Sequence, residues 1–573
     1  MRFFSLDDIA KNALDAFRRH PFVILSGIVC AVIINVLISS GNDQEEVLIR
    51  MLMSAVLGLP LFVAIDTFAN RAAEKSSGSS RQHLWLRLAG LAFLVVVFFF
   101  WSRWQNEVVW RRFVQLALAF HLAAAFTGYL RSQEHNGFWQ FNRNLLLRFM
   151  TAVFFGGVLF AGISVAFVAL DQLFGANIDG EFYLRLFAVI GFVFITWYFA
   201  SGIPDDFEAL EEDTSYPLGV KIFSQFILQP IVILYLLILT AYLVKVLFTQ
   251  KWPSGWIGYL VSSVSVVGML SLLLLYPIQH FRENRWVKTY GRLFYIALLP
   301  SIFMLFLAIG KRVGQYGVTE NRYFLLVLTV WLSGIAVYFI FSKSKAIRVI
   351  PISLCLLSLL TSFGPWGAYA VSKRSQVHRL QSILERNELF AAGQVVPAEE
   401  DVPLEDRREI SATFRYILNT HGYHPVDDWF PGGATAIDTT LKTWKWGRGS
   451  GDSHAQKLMA HMNVPYINKW EHRQGQVHQN YFYGQGMHVV PVKGFDYLCP
   501  LIANGRFLEA QNLSITTEFH RGTDPTLVIR NADTDEMTVD LAEVLRIIER
   551  VQADGVANQK LEAPIEIEAE SSW

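Results

Sequence analysis

The sequence predicts a polytopic α-helical membrane protein with about eleven spans, followed by a C-terminal soluble α/β domain. Apolar runs of about twenty residues recur up to residue 371, and runs of that length satisfy their backbone in lipid only as helices. Hydrophobic residues make up 53% of the 573 residues, and the mean hydropathy is +0.32. After residue 371 no such run occurs. The chain therefore changes solvent at that point.

Residues 1–20 are predicted to form an amphipathic interfacial helix. Ser5 with Asp8 has the spacing of a capping box, and apolar residues from Leu6 to Phe17 share one helical face. The alternative is a simple positively charged segment before the first span. That span starts at Phe22 and is followed by no small-residue cleavage site, so it is predicted to be an uncleaved signal-anchor.

The predicted membrane domain, residues 21–371, contains an odd number of spans and so places the two termini on opposite sides. With the N-terminus inside, 19 Lys and Arg residues fall in inside segments and 8 in outside loops. The positive-inside rule therefore predicts a cytoplasmic N-terminus and an extracytoplasmic C-terminal domain. The predicted spans lie near residues 22–39, 51–69, 86–101, 113–130, 146–169, 183–201, 226–247, 257–276, 293–310, 323–341 and 349–371.

The net charge of zero conceals an asymmetry between the two parts. Residues 1–372 carry 29 basic and 21 acidic residues, whereas residues 373–573 carry 20 and 28. The acidic tail argues against nucleic acid as a partner, and the lipid bilayer is the partner that the spans imply. Since Cys499 is the tail's one cysteine, the tail has no internal disulfide.

The tail is predicted to start with a helical connector, residues 372–405, followed by a mixed α/β domain, residues 406–573. Helical spacing occurs around Leu380 and Phe414, and Pro397 and Pro403 interrupt the connector. Strand-like runs lie at 481–483, 488–490, 513–517 and 527–529, and a closing helix is predicted near 541–548.

Aromatic residues of the tail are candidates for binding an envelope protein or a glycan, because Tyr and Trp suit recognition at polar surfaces. The alternative is that they form the core of a small domain. His421 and His424 have a ligand-like spacing, but no Cys pair or His-Glu-x-x-His motif completes a metal site. We therefore predict no metal and no cofactor. The candidate binding residues are Trp429, Trp444, Trp446, Tyr481 and Tyr483.

Three ionisable residues lie within the predicted spans: Asp66, His121 and Lys245. Such residues are functional candidates because leaving them in lipid costs about 3 kcal/mol or more. Asp66 and His121 could form a proton relay. Alternatively, Asp66 and Lys245 reach the interface near their helix ends, and His121 makes one interhelical hydrogen bond.

Residues 316–323 form the best-defined polar motif. Gly317 permits a tight turn, Thr319 is placed to cap span ten, and Glu320 suits the positive end of the helix. The functional hypothesis is a Glu320–Arg322 recognition or gating element. The alternative is a helix start with interfacial anchors. The candidate residues are Tyr316, Gly317, Thr319, Glu320, Arg322 and Tyr323.

Several loop and span motifs together resemble the bacterial DUF4153 family of multispan membrane proteins, over roughly residues 80–385. This family has no known function, so the resemblance implies a bacterial membrane location and no catalytic residues. The motifs are Phe138–Arg143, Ala169–Gly175, Ile203–Phe207, Gln229–Pro230, Leu236–Leu239, Trp252–Trp256 and Tyr316–Tyr323.

Three functions are compatible with these patterns. The first is a non-catalytic protein of the bacterial inner (plasma) membrane that senses or binds an envelope ligand or protein partner through its C-terminal domain. The second is a transporter with a polar path lined by Asp66 and His121. The third is a membrane-embedded enzyme acting on a lipid-linked substrate, although no Gly-x-Ser-x-Gly elbow or kinase motif occurs.

Overall fold

The computed structural model describes residues 6–39, 45–75, 80–101, 106–130, 132–249, 256–280, 282–342, 345–442 and 451–468, and four strands between 508 and 540. The chain divides into two compact units, Met1–Gln474 and Gly475–Trp573. The first unit includes the helices that follow the membrane spans. It therefore extends beyond residue 406, where the sequence predicts the soluble domain to begin.

Ten helices of the described chain are long and apolar enough to cross a bilayer, and each coincides with a predicted span. This confirms the polytopic helical fold. Two of the ten contain π-helical turns, at Ile190–Phe194 and Phe223–Leu228. The helices in chain order are α1 Leu6–Arg19, α2 Pro21–Ser39, α3 Glu45–Lys75, α4 Ser80–Trp101, α5 Asn106–Phe126, α6 His135–Phe174, α7 Gly180–Val189, α8 Ile195–Ala200, α9 Phe207–Glu212, α10 Leu218–Ile222, α11 Gln229–Thr249, α12 Trp256–Leu275, α13 Trp286–Tyr316 and α14 Glu320–Phe341.

The eleventh predicted span differs from the structure. A helix of 14 residues, α15 Val349–Ser362, ends at a break, and α16 Ala368–Arg386 starts after it. The break contains Gly364, whose φ of +82° is left-handed, and Pro365, which lacks a backbone donor. The predicted continuous span 349–371 is therefore corrected to a shorter helix followed by a turn.

Helix α15 runs antiparallel to α5. The Ser358 hydroxyl donates to the carbonyl oxygen of Gln115 at 2.8 Å, and the Cys355 thiol donates to that of Ala119 at 3.2 Å. At the other end of the pair, Arg348 donates to the carbonyl oxygen of Tyr129 at 3.3 Å. The two ends of α15 thus lie beside opposite ends of α5.

Two hydrophobic cores lie within the membrane helices. The first is built largely from α2 to α8 and includes the fully buried Leu57 and Leu116; the second is built from α11 to α14 and includes Leu298. Large apolar side chains also face outward, such as Phe248, which is 86% exposed, and Phe341, which is 76% exposed. An apolar outer surface of this kind is stable in lipid and marks a membrane-embedded body.

A third core joins α16 to the three helices after it, α17 Leu404–His421, α18 Ala434–Ile437 and α19 Gly451–His461. Leu380, Phe414 and Leu458 are fully buried in it. Between α16 and α17, strands β1 Phe390–Ala391 and β2 Gln394–Val395 form a short antiparallel hairpin. Residues 368–468 thus form a compact helical region on their own core.

The second unit contains a four-stranded antiparallel sheet in the order β3-β4-β5-β6. Two of the predicted strand-like runs, 513–517 and 527–529, fall within its central strands. The other two runs, at 481–483 and 488–490, and the closing helix near 541–548 lie outside the described residues. The strands are β3 Leu508–Ala510, β4 Leu513–His520, β5 Thr526–Asn531 and β6 Glu536–Asp540.

Gly27 marks a close approach between α2 and the π-helical turn at Ile190–Phe194. A Cβ at this position would overlap the carbonyl oxygen of Phe192, which is backbone and cannot rotate away. We expect Gly27→Ala to lower the free energy of unfolding by about 1–3 kcal/mol through overpacking. The thermal unfolding midpoint in detergent, followed by tryptophan fluorescence, measures this effect.

The matched control is Gly157→Ala in α6, because no atom lies within 4 Å of the added Cβ there. Alanine favours a helix over glycine by about 1 kcal/mol, so this variant should be unchanged or more stable. Equal midpoints for the two variants would contradict the close approach at Gly27.

Candidate functional site: a buried polar junction

The motif at residues 316–323 forms the turn between α13 and α14. Gly317 has a φ of +67°, which explains why glycine stands there. Thr319 occupies the position that begins α14, as predicted, but its hydroxyl makes no capping hydrogen bond to the described first turn. Tyr323 is anchored by its hydroxyl, which donates to the carbonyl oxygen of Trp366 at 2.7 Å.

Glu320 and Arg322 do not pair with each other in this turn. Residues two positions apart on a helix do not face the same direction. The Arg322 guanidinium instead donates to the carbonyl oxygens of Tyr316 and Gly317, at 3.0 and 2.8 Å, and so satisfies the C-terminal end of α13. Arg322 has a structural partner, and Glu320 is left to interact with other helices.

Helix α16 docks onto this turn through side chains that satisfy its backbone. The amide of Val318 donates to the Ser375 hydroxyl at 2.8 Å. The Gln376 side-chain amide donates to the carbonyl oxygens of Tyr316 and Val318, at 3.0 and 3.1 Å. The turn is therefore the attachment point between the membrane helices and the helical region that follows them.

Glu320 lies at the centre of this attachment, and its side chain is 1% exposed. The Tyr416 hydroxyl of α17 donates a hydrogen bond to its Oε2 atom. His421 Nε2, at the end of α17, lies 3.3 Å from Glu320 Oε1. The Ser372 hydroxyl of α16 contacts both Tyr416, at 2.7 Å, and His421, at 3.3 Å.

The remaining contact comes from α5, where Arg111 Nη1 lies 4.0 Å from Glu320 Oε2. Glu320 of α14 thus contacts α5 and α17 directly, and α16 joins through Ser372, which contacts Tyr416 and His421. We call the set Arg111, Glu320, Ser372, Tyr416 and His421 the tail-side junction. A buried carboxylate is costly unless it is paired and hydrogen-bonded, so these partners make the position of α17 against the membrane helices specific.

Electrostatics within the junction hold its two tail residues neutral. Burial and the neighbouring Glu320 carboxylate raise the pKa of Tyr416, so its hydroxyl keeps the proton that it donates. Burial, with Lys373 and Arg111 nearby, lowers the pKa of His421 to about 4. At neutral pH the junction therefore places a neutral phenol and a neutral imidazole beside Glu320.

The lowered pKa of His421 predicts a loss of stability on acidification. The unfolded state binds the proton first, because an unperturbed histidine has a pKa of about 6.5. Stability is therefore full above pH 6.5 and falls between pH 6.5 and 4, by up to about 3 kcal/mol. Thermal unfolding midpoints measured at pH 7.5 and pH 5 should show this fall.

His421→Gln should remove this component of the pH dependence. The control is His424→Gln, because His424 is an exposed histidine three residues further on. We expect His424→Gln to keep the dependence of the unmodified protein. An unchanged pH dependence in His421→Gln would contradict the assignment.

Asp66 lies in a second buried charge cluster, at the other end of the membrane helices from the tail-side junction. Both Asp66 and His20 are 1% exposed. His20 Nδ1 donates to one carboxylate oxygen at 2.9 Å, and Arg87 Nε donates to the other at 2.8 Å. Arg87 also donates to the Arg19 carbonyl oxygen, and Arg19 pairs with Asp205 at 2.9 Å. We call these five residues the Asp66 cluster.

The structure does not bring Asp66 and His121 together. The two Asp66 oxygens are bound by His20 and Arg87, whereas His121 Nδ1 lies 2.7 Å from the Ala117 carbonyl oxygen of its own helix. His121 also lines an apolar cavity of about 400 Å³ with Pro60 and Phe199. Lys245 is exposed on the outer surface of α11. The proton relay stays a prediction.

Among the aromatic candidates of the tail, Trp429 is half-buried and packs edge-on against Phe390, with ring centroids 5.1 Å apart. It contributes to the third core. Trp444, Trp446, Tyr481 and Tyr483 lie outside the described residues. In the part of the chain that the structure describes, no three His, Cys, Asp or Glu side chains are grouped as a metal site requires.

Sequence reasoning selected Asp66 and Glu320 but missed their partners. His20 and Arg87 lie 46 and 21 residues from Asp66, and Tyr416 lies 96 residues from Glu320. One signal was available: His20, Asp66 and Arg87 all lie near span ends on the same predicted side of the membrane. For Tyr416 and His421 no local pattern indicated the contact.

The ten apolar helices, with an apolar outer surface and charges buried at the helix ends, define a polytopic α-helical membrane protein. The chain belongs to the DUF4153 family, described as a domain of unknown function, whose model matches residues 22–389. This confirms the resemblance inferred from the loop motifs.

One relative is a protein of Pasteurella multocida (strain Pm70) named "Uncharacterized protein PM1469". It is 22% identical over 369 residues, which cover 62% of this chain and 58% of that protein. The match therefore spans somewhat more than half of the relative's length. No solved structure matches the chain significantly.

Proposed function

We propose that this protein is a non-catalytic bacterial inner-membrane protein that binds an envelope ligand or protein partner through the residues after 371. In this proposal the tail-side junction couples that binding to the membrane helices. The observation that carries it is the burial of Glu320 in contact with α5 and α17. A tail tethered only for anchoring would not require a buried carboxylate in contact with both α5 and α17.

The junction is suited to coupling because its parts belong to different elements. Glu320 begins α14, Arg111 belongs to α5, and Tyr416 belongs to α17. A ligand that shifts α17 would change the hydrogen bond to Glu320, and the cost of an unpaired buried charge would favour a concerted shift of the membrane helices. Such a two-state element is the physical requirement for coupling.

The orientation is part of the same proposal, with the N-terminus cytoplasmic and the tail extracytoplasmic. The antiparallel pairing of α15 with α5 supports termini on opposite sides, because it separates Arg348 from Ser362 by the length of α15. The excess of Lys and Arg on the N-terminal side supports it further. The proposed soluble region includes the α/β part with its four-stranded sheet.

A fusion of alkaline phosphatase after residue 573 tests this orientation, because the enzyme acquires its disulfides only outside the cytoplasm. We expect high activity from that fusion and none from a fusion after residue 342. The reverse result would place the tail in the cytoplasm and exclude an envelope ligand.

Complementation tests the function. A strain lacking the gene is screened for a fitness defect under envelope stress, and the defect is then complemented with variants of equal membrane abundance. We expect a truncation after residue 372 to fail and His121→Ala to restore growth. The truncation carries Glu320→Gln so that no unpaired buried carboxylate remains, and its thermal unfolding midpoint in detergent verifies that the membrane helices still fold.

The transporter alternative predicts the opposite outcome, failure of His121→Ala and success of the truncation. His121 is the informative residue for this comparison, because its side chain bonds only within α5 in the described structure. Asp66 is less suitable, since its substitution removes the partner of two buried groups and so affects folding.

A further inference from the structure

A second cavity, separate from both charge clusters, lies between α12, α13, α14 and the start of α15. Its volume is about 410 Å³, within the range of about 300–1,000 Å³ that is typical of small-molecule sites. It has an apolar floor and a cationic rim. None of the candidate site residues named in the sequence analysis lines this cavity.

The floor is preformed by packed side chains. The rings of Tyr295 and Phe339 are stacked at 4.9 Å with an angle of 4° between their planes. Leu272 and Ile350 extend the apolar wall. Gly291 lines the cavity on the α13 side, where a Cβ would lie 3.4 Å from Leu272, so a larger side chain at this position would occupy the cavity.

The rim carries three cationic side chains, Lys288, Arg292 and Lys345. Lys288 and Arg292 are four residues apart and so share one face of α13. Lys345 has a φ of +43°, a left-handed conformation that non-glycine residues adopt at a cost of about 1–3 kcal/mol. Among the described residues none of the three forms an ion pair with a carboxylate.

Two further ionisable residues, one histidine and one glutamate, lie at or near the cavity. His135 lines the cavity at the start of α6. Glu211 lies near His135, but its carboxylate accepts a hydrogen bond from the Gly137 amide. The three rim cations outnumber this one nearby carboxylate, so the net charge at the rim is positive.

We propose that this cavity binds an anionic phospholipid, with the phosphate at the cationic rim and an acyl chain on the apolar floor. Basic pockets between transmembrane helices bind anionic lipid headgroups. The rim residues lie near Trp286, which begins α13, and tryptophan at a helix end marks the headgroup level. The apolar floor favours a lipid over free phosphate, which would leave that surface empty.

Native mass spectrometry of the full-length protein in detergent tests the proposal, with phosphatidylglycerol, phosphatidylcholine and inorganic phosphate as probes. We expect phosphatidylglycerol to bind more tightly than phosphatidylcholine, and inorganic phosphate not to displace it. The triple variant Lys288→Gln, Arg292→Gln, Lys345→Gln should weaken phosphatidylglycerol binding by more than about tenfold.

The matched control removes three cations elsewhere, Lys11→Gln, Arg18→Gln and Lys221→Gln, and should keep its affinity within about twofold. A second variant, Gly291→Leu, fills the floor and leaves the rim intact, so it should also weaken phosphatidylglycerol binding. Thermal unfolding midpoints verify that the variants fold. If Gly291→Leu does not fold, the binding affinity of the triple variant alone tests the proposal.

Three results would overturn the proposal. Equal weakening in the control triple variant would mean general charge attraction. Unchanged binding in a folded Gly291→Leu variant would exclude the apolar floor. Displacement of phosphatidylglycerol by inorganic phosphate at similar concentration would identify a free anion as the ligand.

Discussion

Asp66→Asn is expected to lower the free energy of unfolding by about 3–5 kcal/mol, the largest effect of any single substitution considered for this protein. The substitution leaves His20, which is 1% exposed, and Arg87, which is 15% exposed, without their shared anion. The cost comes from the buried cation that remains unpaired. Denaturation of the purified protein in detergent micelles, followed by tryptophan fluorescence, measures the change.

Asp205→Asn is the matched control, because Asp205 belongs to the same cluster but is 57% exposed. Exposed ion pairs contribute about 0–1 kcal/mol. Combining Asp66→Asn with Arg87→Gln should recover part of the loss, since the unpaired cation is then absent. Equal losses for Asp66→Asn and Asp205→Asn would mean that burial of the cluster does not determine its energetics.

Glu320→Gln is expected to produce the second large effect, about 3 kcal/mol, together with release of α17 from the membrane helices. The neutral amide cannot provide the charge that Arg111 faces, and it weakens the hydrogen bond from Tyr416. Limited trypsin digestion should then cut faster within residues 387–415. Cleavage rates and thermal midpoints measure the two parts of this prediction.

The control at the same interface is Glu409→Gln on α17, where Glu409 pairs with Arg379 of α16 at 3.0 Å and is 30% exposed. It should cost less than about 1 kcal/mol and leave the cleavage rate unchanged. If both variants behave alike, the junction contributes no more than an ordinary surface ion pair, and the proposed coupling loses its basis.

The membrane helices could be predicted from sequence because lipid imposes a strong local requirement. A spanning helix must be apolar over most of its length, so the runs containing Leu57 and Leu298 were recognisable without any long-range information. The break after Ser362 also had a local signal, Gly364 followed by Pro365. The apolar residues on either side of that pair concealed it, and the span was extended to residue 371.

For each of the two charge clusters, the sequence predicted the buried carboxylate but not the residues that pair with it. Asp66 and Glu320 stood out because a carboxylate in or beside an apolar run is unusual. Their partners did not, because Arg87 and Tyr416 lie at ordinary positions in their own helices and come close only after the helices pack. Arg322 was selected as the partner of Glu320 for its proximity in sequence, whereas helical geometry directs the two side chains apart.

The short helix α15 has a consequence for the bilayer itself. Its 14 residues span about 21 Å, whereas the hydrocarbon layer is about 30 Å thick. Leu356 and Leu360 face outward from it, and lipid beside a helix this short can adapt by thinning locally, which would keep the break at Gly364 in contact with headgroups. The break leads directly into α16 and the tail-side junction. Membrane thickness is therefore a physical variable to which the junction is exposed, independent of any bound molecule.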